Sequence, residues 1–145
     1  MNGSRLETGP PAAQRHGSDV GVWVLRVLGA ALLAAMGWIH LDLWLDGYRT
    51  IDVIGPAFLL NTLAGFGLAV LLLVTPRALV GWVALLGALT AAGTVAGLLL
   101  STTVGLFGFV ETTATRLWWG SFWVEVAAIV VLGVLAALTL RRRRN

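Results

Sequence analysis

Cysteine and lysine are both absent from the chain, and charged side chains of any kind are scarce. Without cysteine, the protein can form neither a disulfide nor a thiolate metal site. Charged residues make up 12% of the 145 positions and hydrophobic residues 58%, whereas a soluble domain has about 25% charged residues. Because a small soluble domain keeps a large fraction of its surface in water, this composition predicts a lipid bilayer as the solvent.

Motifs of catalysis and of nucleic-acid binding are also missing. The sequence contains no GxSxG, HExxH, Walker-type glycine loop or paired-histidine motif, so no reaction and no cofactor is assigned. Four of the ten basic residues form one arginine run, residues 141–144, directly after an apolar segment. Such a run is typical of a topology anchor or of a contact with anionic lipid headgroups. We therefore expect no nucleic-acid partner.

Four apolar segments have the length of membrane spans. About twenty helical residues at 1.5 Å each cross a bilayer core of about 30 Å. The predicted spans cover residues 20–40, 57–74, 78–100 and 121–140. Residues 1–19 carry glycine, proline and polar residues without periodicity, which favours a disordered cytoplasmic tail, and residues 141–145 form an arginine-rich tail. The predicted fold is an all-α, integral membrane four-helix bundle.

Residues that favour helix ends mark the predicted boundaries. Pro56 stands where a helix begins without needing the missing N–H. Thr75, Pro76 and Arg77 interrupt the apolar pattern for only three residues, which predicts an antiparallel hairpin of neighbouring helices. Ser121 follows a glycine and is the predicted N-cap of the fourth helix.

Arginines are distributed unequally between the two predicted sides. Eight fall on one side and two, Arg49 and Arg116, on the other. By the positive-inside rule, both termini are predicted to be cytoplasmic in a multi-pass protein of the bacterial inner membrane. Tryptophans near the predicted boundaries agree with this placement. Arg26, about a turn inside the first helix, is expected to extend to the cytoplasmic headgroups.

Each predicted helix has a polar residue near its outer end, and the outer connections add others. The candidate outer polar site comprises His40, Asp42, Arg49, Asn61, Thr102, Glu111 and Glu125. A carboxylate at the depth of Glu125 is costly in lipid and faces protein or water. It is interpreted as a proton acceptor or cation ligand, or as a structural residue that the helix dipole or Arg49 or Arg116 stabilises. His40 is a candidate ligand or relay, with stacking on Trp44 as the alternative.

Small residues four positions apart predict close helix packing. They occur at Gly93 and Gly97, at Gly65 and Ala69, and at Gly133 and Ala137. Such pairs lie on one helix face and let two backbones approach. They are predicted to serve packing within the bundle, with a dimer seam as the alternative.

The second outer connection is unusually apolar. Residues 105–109 are interpreted either as an extension of the third helix or as an interfacial segment, and residues 111–118 as a short amphipathic segment.

The pattern of residues 40–61 resembles that of small four-helix membrane proteins of high-GC bacteria. It includes His40, Trp44, Tyr48-Arg49 and the run Ile54-Gly55-Pro56-x-Phe58-Leu-Leu-Asn61. The four-span layout is also distantly similar to that of DoxX-like proteins. These resemblances imply an integral membrane location and no known reaction, and they carry over no site residue.

Three functional hypotheses follow. The first is a non-enzymatic accessory or structural subunit of a membrane complex, with a membrane-protein partner or a second copy of the chain. The second is a small proton- or cation-linked transporter that uses the outer polar site. The third is a membrane subunit of a quinone-linked redox system.

Overall fold

The computed structural model describes the backbone of residues 12–143 and the side chains of residues 19–143. This part of the chain is all-helical apart from its connections. The helices are α1 (Ala12–Leu45), α2 (Ile54–Val74), α3 (Val80–Thr103) and α4 (Trp118–Arg141). All four are long and apolar enough to cross a membrane. The predicted all-α fold with four candidate spans is therefore confirmed.

The first helix is longer than predicted. It begins at Ala12, so residues 12–19, expected to be disordered, are helical. Once a helix has nucleated, each further residue is added at little cost, and Ala12 and Ala13 have the highest helix propensity. The remainder of the predicted tail, residues 1–11, and the last two residues of the arginine-rich tail lie outside the described residues.

The helices alternate in direction, and this gives the bundle two distinct ends. The terminal end carries the start of α1, the α2–α3 turn and the end of α4; the connection end carries the α1–α2 and α3–α4 connections. α1 packs along both α2 and α4, and α3 packs along α4. By contrast, α2 and α3 touch only sparsely although a short turn joins them. The predicted hairpin is therefore present in the chain path but is not a tightly packed pair.

All four helices contribute to the core, with small residues such as Ala84 and Ala91 from α3. Leu33, Met36, Leu72, Leu132 and Leu135 are completely buried there. Apolar side chains also cover the outward-facing sides of the helices, where many leucines, valines and tryptophans are more than half exposed. A soluble monomer rarely exposes continuous apolar surface of this extent. The outer surface is thus suited to contact with lipid acyl chains.

Gly65 brings two helix backbones into direct contact. A Cβ atom on Gly65 would lie 2.7 Å from the Cα atom of Gly37 on α1 and 2.8 Å from the carbonyl oxygen of Leu33. The predicted packing role of the small residue at position 65 is therefore confirmed. Gly133 differs, because no heavy atom of the described residues lies within 4 Å of the position that its Cβ would take.

Arg26 does not extend to the headgroups as expected. Its side chain is 8% exposed, and it donates hydrogen bonds to the carbonyl oxygens of Leu72, Leu73 and Thr75 at the end of α2. The final carbonyls of a helix lack intrahelical partners, and a cation at this end also interacts favourably with the helix dipole. Arg26 thus caps α2 from the neighbouring helix.

Both connections at the connection end of the bundle form compact turns. Residues 105–109 do not extend α3: Leu106 and Phe109 exchange two backbone hydrogen bonds, and Phe107 and Gly108 both have positive φ. A position of this segment at the membrane interface stays a prediction. Gly105, with φ of 83°, ends α3 by donating to the carbonyl of Leu100. Two adjacent positive-φ residues are typical of a type I′ turn.

The segment before α4 also differs from its prediction. Residues 113–117 are turns and bends, and α4 begins at Trp118. The N-cap of α4 is Leu117, with φ of 70°, and not Ser121. Ser121 instead lies in the first turn of the helix, where its hydroxyl is free to bond elsewhere.

Candidate functional site

A cavity of about 340 Å³ lies at the connection end. All four helices and both connections contribute to its walls. Its apolar lining comes mainly from α2, α3 and aromatic side chains of the connections, and polar lining residues come from all four helices and both connections. The polar and aromatic lining residues include His40, Tyr48, Phe58, Asn61, Thr94, Ser101, Phe109, Glu111, Trp118, Ser121 and Glu125.

Glu125 is the deepest ionisable residue of the cavity and has no exposed surface. Ser121, one turn earlier on α4, donates a hydrogen bond of 2.8 Å to its Oε1 atom. Its Oε2 atom is buried and has no hydrogen-bond partner among the described residues. Buried carboxylate oxygens in proteins are nearly always bonded, so Oε2 is a position at which a bound molecule gains a hydrogen bond.

His40 lies beside Glu125 and is 4% exposed. Its Nδ1 atom is 2.9 Å from the carbonyl oxygen of Met36, one turn earlier on α1. A carbonyl only accepts, so Nδ1 carries hydrogen, and in the neutral ring Nε2 is left as an acceptor. Nε2 lies 3.9 Å from Glu125 Oε1, too far for a direct hydrogen bond. The pair therefore leaves room for a bridging group.

An aromatic wall stands beside this pair. The rings of Tyr48 and Phe58 stack with their centroids 4.8 Å apart, and Phe58 also lies against the His40 imidazole at 5.0 Å. Phe109, from the other connection, contacts Tyr48 edge-on. The predicted stacking of Trp44 on His40 is therefore wrong, because Phe58 of α2 occupies that place.

Glu111 ties the two connections together. Its carboxylate accepts hydrogen bonds from the Tyr48 hydroxyl at 2.6 Å, from the Thr115 hydroxyl and from the Thr112 amide. Burial, with the hydrogen bond and the negative charge of Glu111, raises the pKa of the Tyr48 phenol above its ordinary value of 10.0. The Tyr48 phenol thus stays neutral at physiological pH, and its hydrogen bond to Glu111 joins the two connections at the cavity wall.

The cavity reaches the surface between α2 and α3, which touch only sparsely. Exposed residues of both helices, Ala57, Leu89 and Gly93, are part of its lining. Thr94 donates a long hydrogen bond of 3.4 Å to Asn61 across the gap. The mouth therefore lies between two candidate spans.

Gly93 and Gly97 line the cavity instead of packing against another helix. No heavy atom of the described residues lies within 4 Å of where their Cβ atoms would be. The prediction that this pair packs within the bundle is therefore wrong. Two residues without side chains on one face of α3 provide volume for the cavity.

Four of the seven predicted site residues meet at the cavity, namely His40, Asn61, Glu111 and Glu125. The other three lie outside its lining. Asp42 pairs with Arg116, Thr102 accepts a hydrogen bond from the Trp118 indole at 3.0 Å, and Arg49 is exposed. The predicted pairing of Glu125 with Arg49 or Arg116 does not occur.

Several lining residues were missed by the sequence reasoning. Nothing in the sequence around Phe58, Phe109 and Ser121 distinguishes them, because each lies in or next to an apolar run. Tyr48 was also missed, although it is the single tyrosine of the chain and its rarity could have drawn attention to it. Among the described residues, no group of three histidine, aspartate or glutamate side chains is placed to hold a metal ion.

These features define a class: a four-helix protein with candidate membrane spans and a deep cavity, open laterally, near one end. Comparison of the chain with protein-family models, curated proteins and solved structures finds no match. The resemblance to DoxX-like proteins stays a prediction, and the site is interpreted from its own residues.

Proposed function

We propose that this protein binds a lipid-soluble small molecule with a polar end in the cavity at the connection end. The observation that carries the proposal is the unpartnered Oε2 atom of Glu125 at the base of a mostly apolar cavity. Small-molecule sites are typically clefts of about 300–1,000 Å³ with apolar walls and a few convergent polar groups. The cavity has this size and this composition.

The polar base supplies two hydrogen-bond acceptors. Glu125 Oε2 has no partner among the described residues, and His40 Nε2 is the free ring nitrogen of an otherwise fixed imidazole. A ligand hydroxyl that donates to one of these acceptors satisfies a group that is costly to bury unpaired. Ser121 and Met36 hold the two side chains in place, so little order is lost when the ligand binds.

The apolar walls and the mouth determine the rest of the ligand. Phe58 and Phe109 present aromatic faces, and the exposed lining residues Leu89 and Gly93 lead outward between α2 and α3. A molecule with a flat polar head and an apolar tail fits both features. Of the three hypotheses from the sequence, the quinone-linked one is therefore favoured, with the reduced quinol as the donor-bearing form. Binding of a cation would need several oxygen ligands.

The remaining parts of the proposal concern location. We propose the bacterial inner membrane with both termini cytoplasmic, supported by the arginine distribution of eight against two. In this orientation the cavity opens into the outer leaflet.

Binding of a short-chain benzoquinol, kept reduced and followed by tryptophan fluorescence, tests the proposal. Trp118 lines the cavity, and its indole is expected to be quenched when the ring binds. Glu125→Gln is expected to weaken binding by about tenfold or more, because a hydrogen bond to a charged group contributes about 1.5–3 kcal/mol. Asp52→Asn, the same chemical change at an exposed position outside the lining, is the matched control and is expected to bind normally.

Failure has a clear form in this experiment. If the benzoquinol does not bind, and organic extraction of the natively purified protein releases no other small molecule, the proposal is wrong. Equal weakening in Glu125→Gln and Asp52→Asn would place the binding elsewhere on the protein.

The accessory-subunit hypothesis is a second proposal. The small-residue pair Gly133 and Ala137 on α4 gives it support, because Ala137 is exposed and the space beside Gly133 is open. Such a face suits a second helix. Pull-down from native membranes in several mild detergents is expected to recover a stoichiometric partner, and consistent recovery of the chain alone would contradict it.

A further inference from the structure

A second cavity, of about 260 Å³, lies at the terminal end of the bundle, opposite the first. The start of α1, the turn between α2 and α3, and the end of α4 form its rim. Its charged lining residues are Arg26, Arg77, Arg142, Arg143 and Asp19. Four arginines against one aspartate give the lining a formal charge of +3.

The arginines of this cavity have few internal partners. Arg77 pairs with Asp19 at 3.5 Å, and both side chains are more than half exposed, so this ion pair is weak. No acidic side chain of residues 19–143 lies within 4.0 Å of Arg142 or Arg143. Arg26, which caps α2, adds a fixed positive charge behind them. The cavity thus has a surplus of positive charge that an anion would balance.

The geometry points to a phosphate group. A guanidinium has its donors in a planar fork that matches phosphate oxygens, often by two parallel hydrogen bonds. Here the guanidinium groups come from three separate elements: Arg77 from the turn, Arg26 from α1, and Arg142 and Arg143 from the end of α4. A single tetrahedral anion can engage several of them, whereas a planar carboxylate offers only two oxygens.

The apolar part of the lining places the cavity at the depth of lipid headgroups. Val22 and Val80 form part of its wall, and the half-exposed indole of Trp23 stands at its edge. Tryptophan is enriched at the membrane–water interface, and basic pockets between helices at this level bind phosphate-bearing headgroups.

We infer that this cavity binds an anionic phosphate group, either from a phospholipid headgroup or as free phosphate. The bound phosphate joins the start of α1 and the end of α4 to the α2–α3 turn. Since α2 and α3 touch only sparsely elsewhere, this bridge secures the part of the bundle that is least supported by packing. The inference does not depend on a ligand in the first cavity.

Thermal unfolding of the full chain in lipid nanodiscs tests this inference. In the first arm, phosphatidylglycerol is titrated into phosphatidylcholine discs; in the second, inorganic phosphate is added to pure phosphatidylcholine discs at constant ionic strength. Each arm compares wild type with Arg142→Gln and with Arg141→Gln. Arg141 is exposed and outside the lining, so it is a matched control with the same change in charge.

We expect stabilisation of the wild type in at least one arm. Arg142→Gln should weaken the apparent affinity by about tenfold or more, the contribution of a hydrogen bond to a charged group, whereas Arg141→Gln should weaken it less. Stabilisation in the first arm alone identifies the lipid headgroup as the source, and stabilisation in the second identifies free phosphate.

Two results would overturn the inference. One is the absence of stabilisation by either phosphatidylglycerol or phosphate. The other is an equal loss in Arg141→Gln and Arg142→Gln, which would show general attraction to a basic surface in place of a defined pocket.

Discussion

Two buried carboxylates at the same end of the bundle have opposite surroundings. Glu111 accepts hydrogen bonds from Tyr48, Thr115 and the Thr112 amide, and so both of its oxygens are bonded. Glu125 has a bond to one oxygen only. The saturated carboxylate is structural, because its bonds hold the connections together. The half-satisfied one is the group that gains from a ligand, and the proposed function rests on this difference.

Arg26 provides a prediction at the same scale. Replacing it with glutamine removes three charge-assisted hydrogen bonds to carbonyls at the end of α2. Arg26→Gln is expected to destabilise the protein by about 2–3 kcal/mol and to lower the Tm in detergent. Arg77→Gln, which breaks only an exposed ion pair, should cost about 1 kcal/mol or less. Equal Tm values for the two variants would contradict the capping role.

At the scale of the helix, glycines with the same spacing to another small residue have different surroundings. Gly65 lets α2 touch the backbone of α1, whereas Gly97 leaves space in the cavity. The spacing of small residues therefore predicts a helix face without side-chain bulk but does not say what occupies it. A neighbouring helix, a ligand or lipid can all lie against such a face.

Gly65 and Gly67 offer a matched pair two residues apart on α2. A methyl group on Gly65 would meet backbone atoms of α1 at 2.7–2.8 Å, but at Gly67 no described heavy atom lies within 4 Å. Gly65→Ala is expected to cost about 1–3 kcal/mol through overpacking. Gly67→Ala should leave the Tm unchanged or raise it, because alanine favours the helix. Similar Tm values would mean that α1 and α2 are not in close contact.

Tyr48 makes the stability of the connections dependent on pH. Its pKa is raised in the folded protein by burial and by Glu111, so ionisation favours the unfolded state. The resulting stabilisation is complete below the ordinary tyrosine pKa of about 10 and is lost as the pH rises through the higher folded value. Wild type is therefore expected to lose Tm above about pH 10, and Tyr48→Phe to lose less over the same range.

Tyr48→Phe should also have a lower Tm at neutral pH, by the loss of one hydrogen bond of about 1–2 kcal/mol. Because Tyr48 is the only tyrosine, near-ultraviolet absorbance follows its ionisation directly. An ordinary phenol titration in the folded protein would contradict the buried bond to Glu111.

For the whole molecule, hydropathy and length were sufficient to predict the helices but not their neighbours. The four candidate spans follow from long apolar runs, and Pro56 lies in the first turn of α2 as expected. Which helices pack together depends on side-chain fit across the bundle, and the short turn after Val74 wrongly favoured a close α2–α3 pair.

The sequence predicted several polar residues of the cavity lining but not its aromatic residues. Polar residues in apolar runs, such as His40, Asn61 and Glu125, are conspicuous and do line the cavity. Phe58 and Phe109 are inconspicuous because an aromatic residue near a helix end fits lipid, core or cavity equally well. Arg49 and Asp42 were included for their charge alone, and charge near a membrane surface is most simply satisfied by water or by an exposed partner such as Arg116.

The central claim is that the cavity holds a small molecule, and filling the cavity tests it most directly. Native mass spectrometry of protein purified from its membranes compares wild type with Gly97→Leu and Gly67→Leu. Both glycines have open space around them, but only Gly97 lines the cavity. We predict that the same bound small molecule is retained by wild type and Gly67→Leu and is lost from a folded Gly97→Leu. A wild type without any bound small molecule, or equal retention by all three proteins, would contradict the claim.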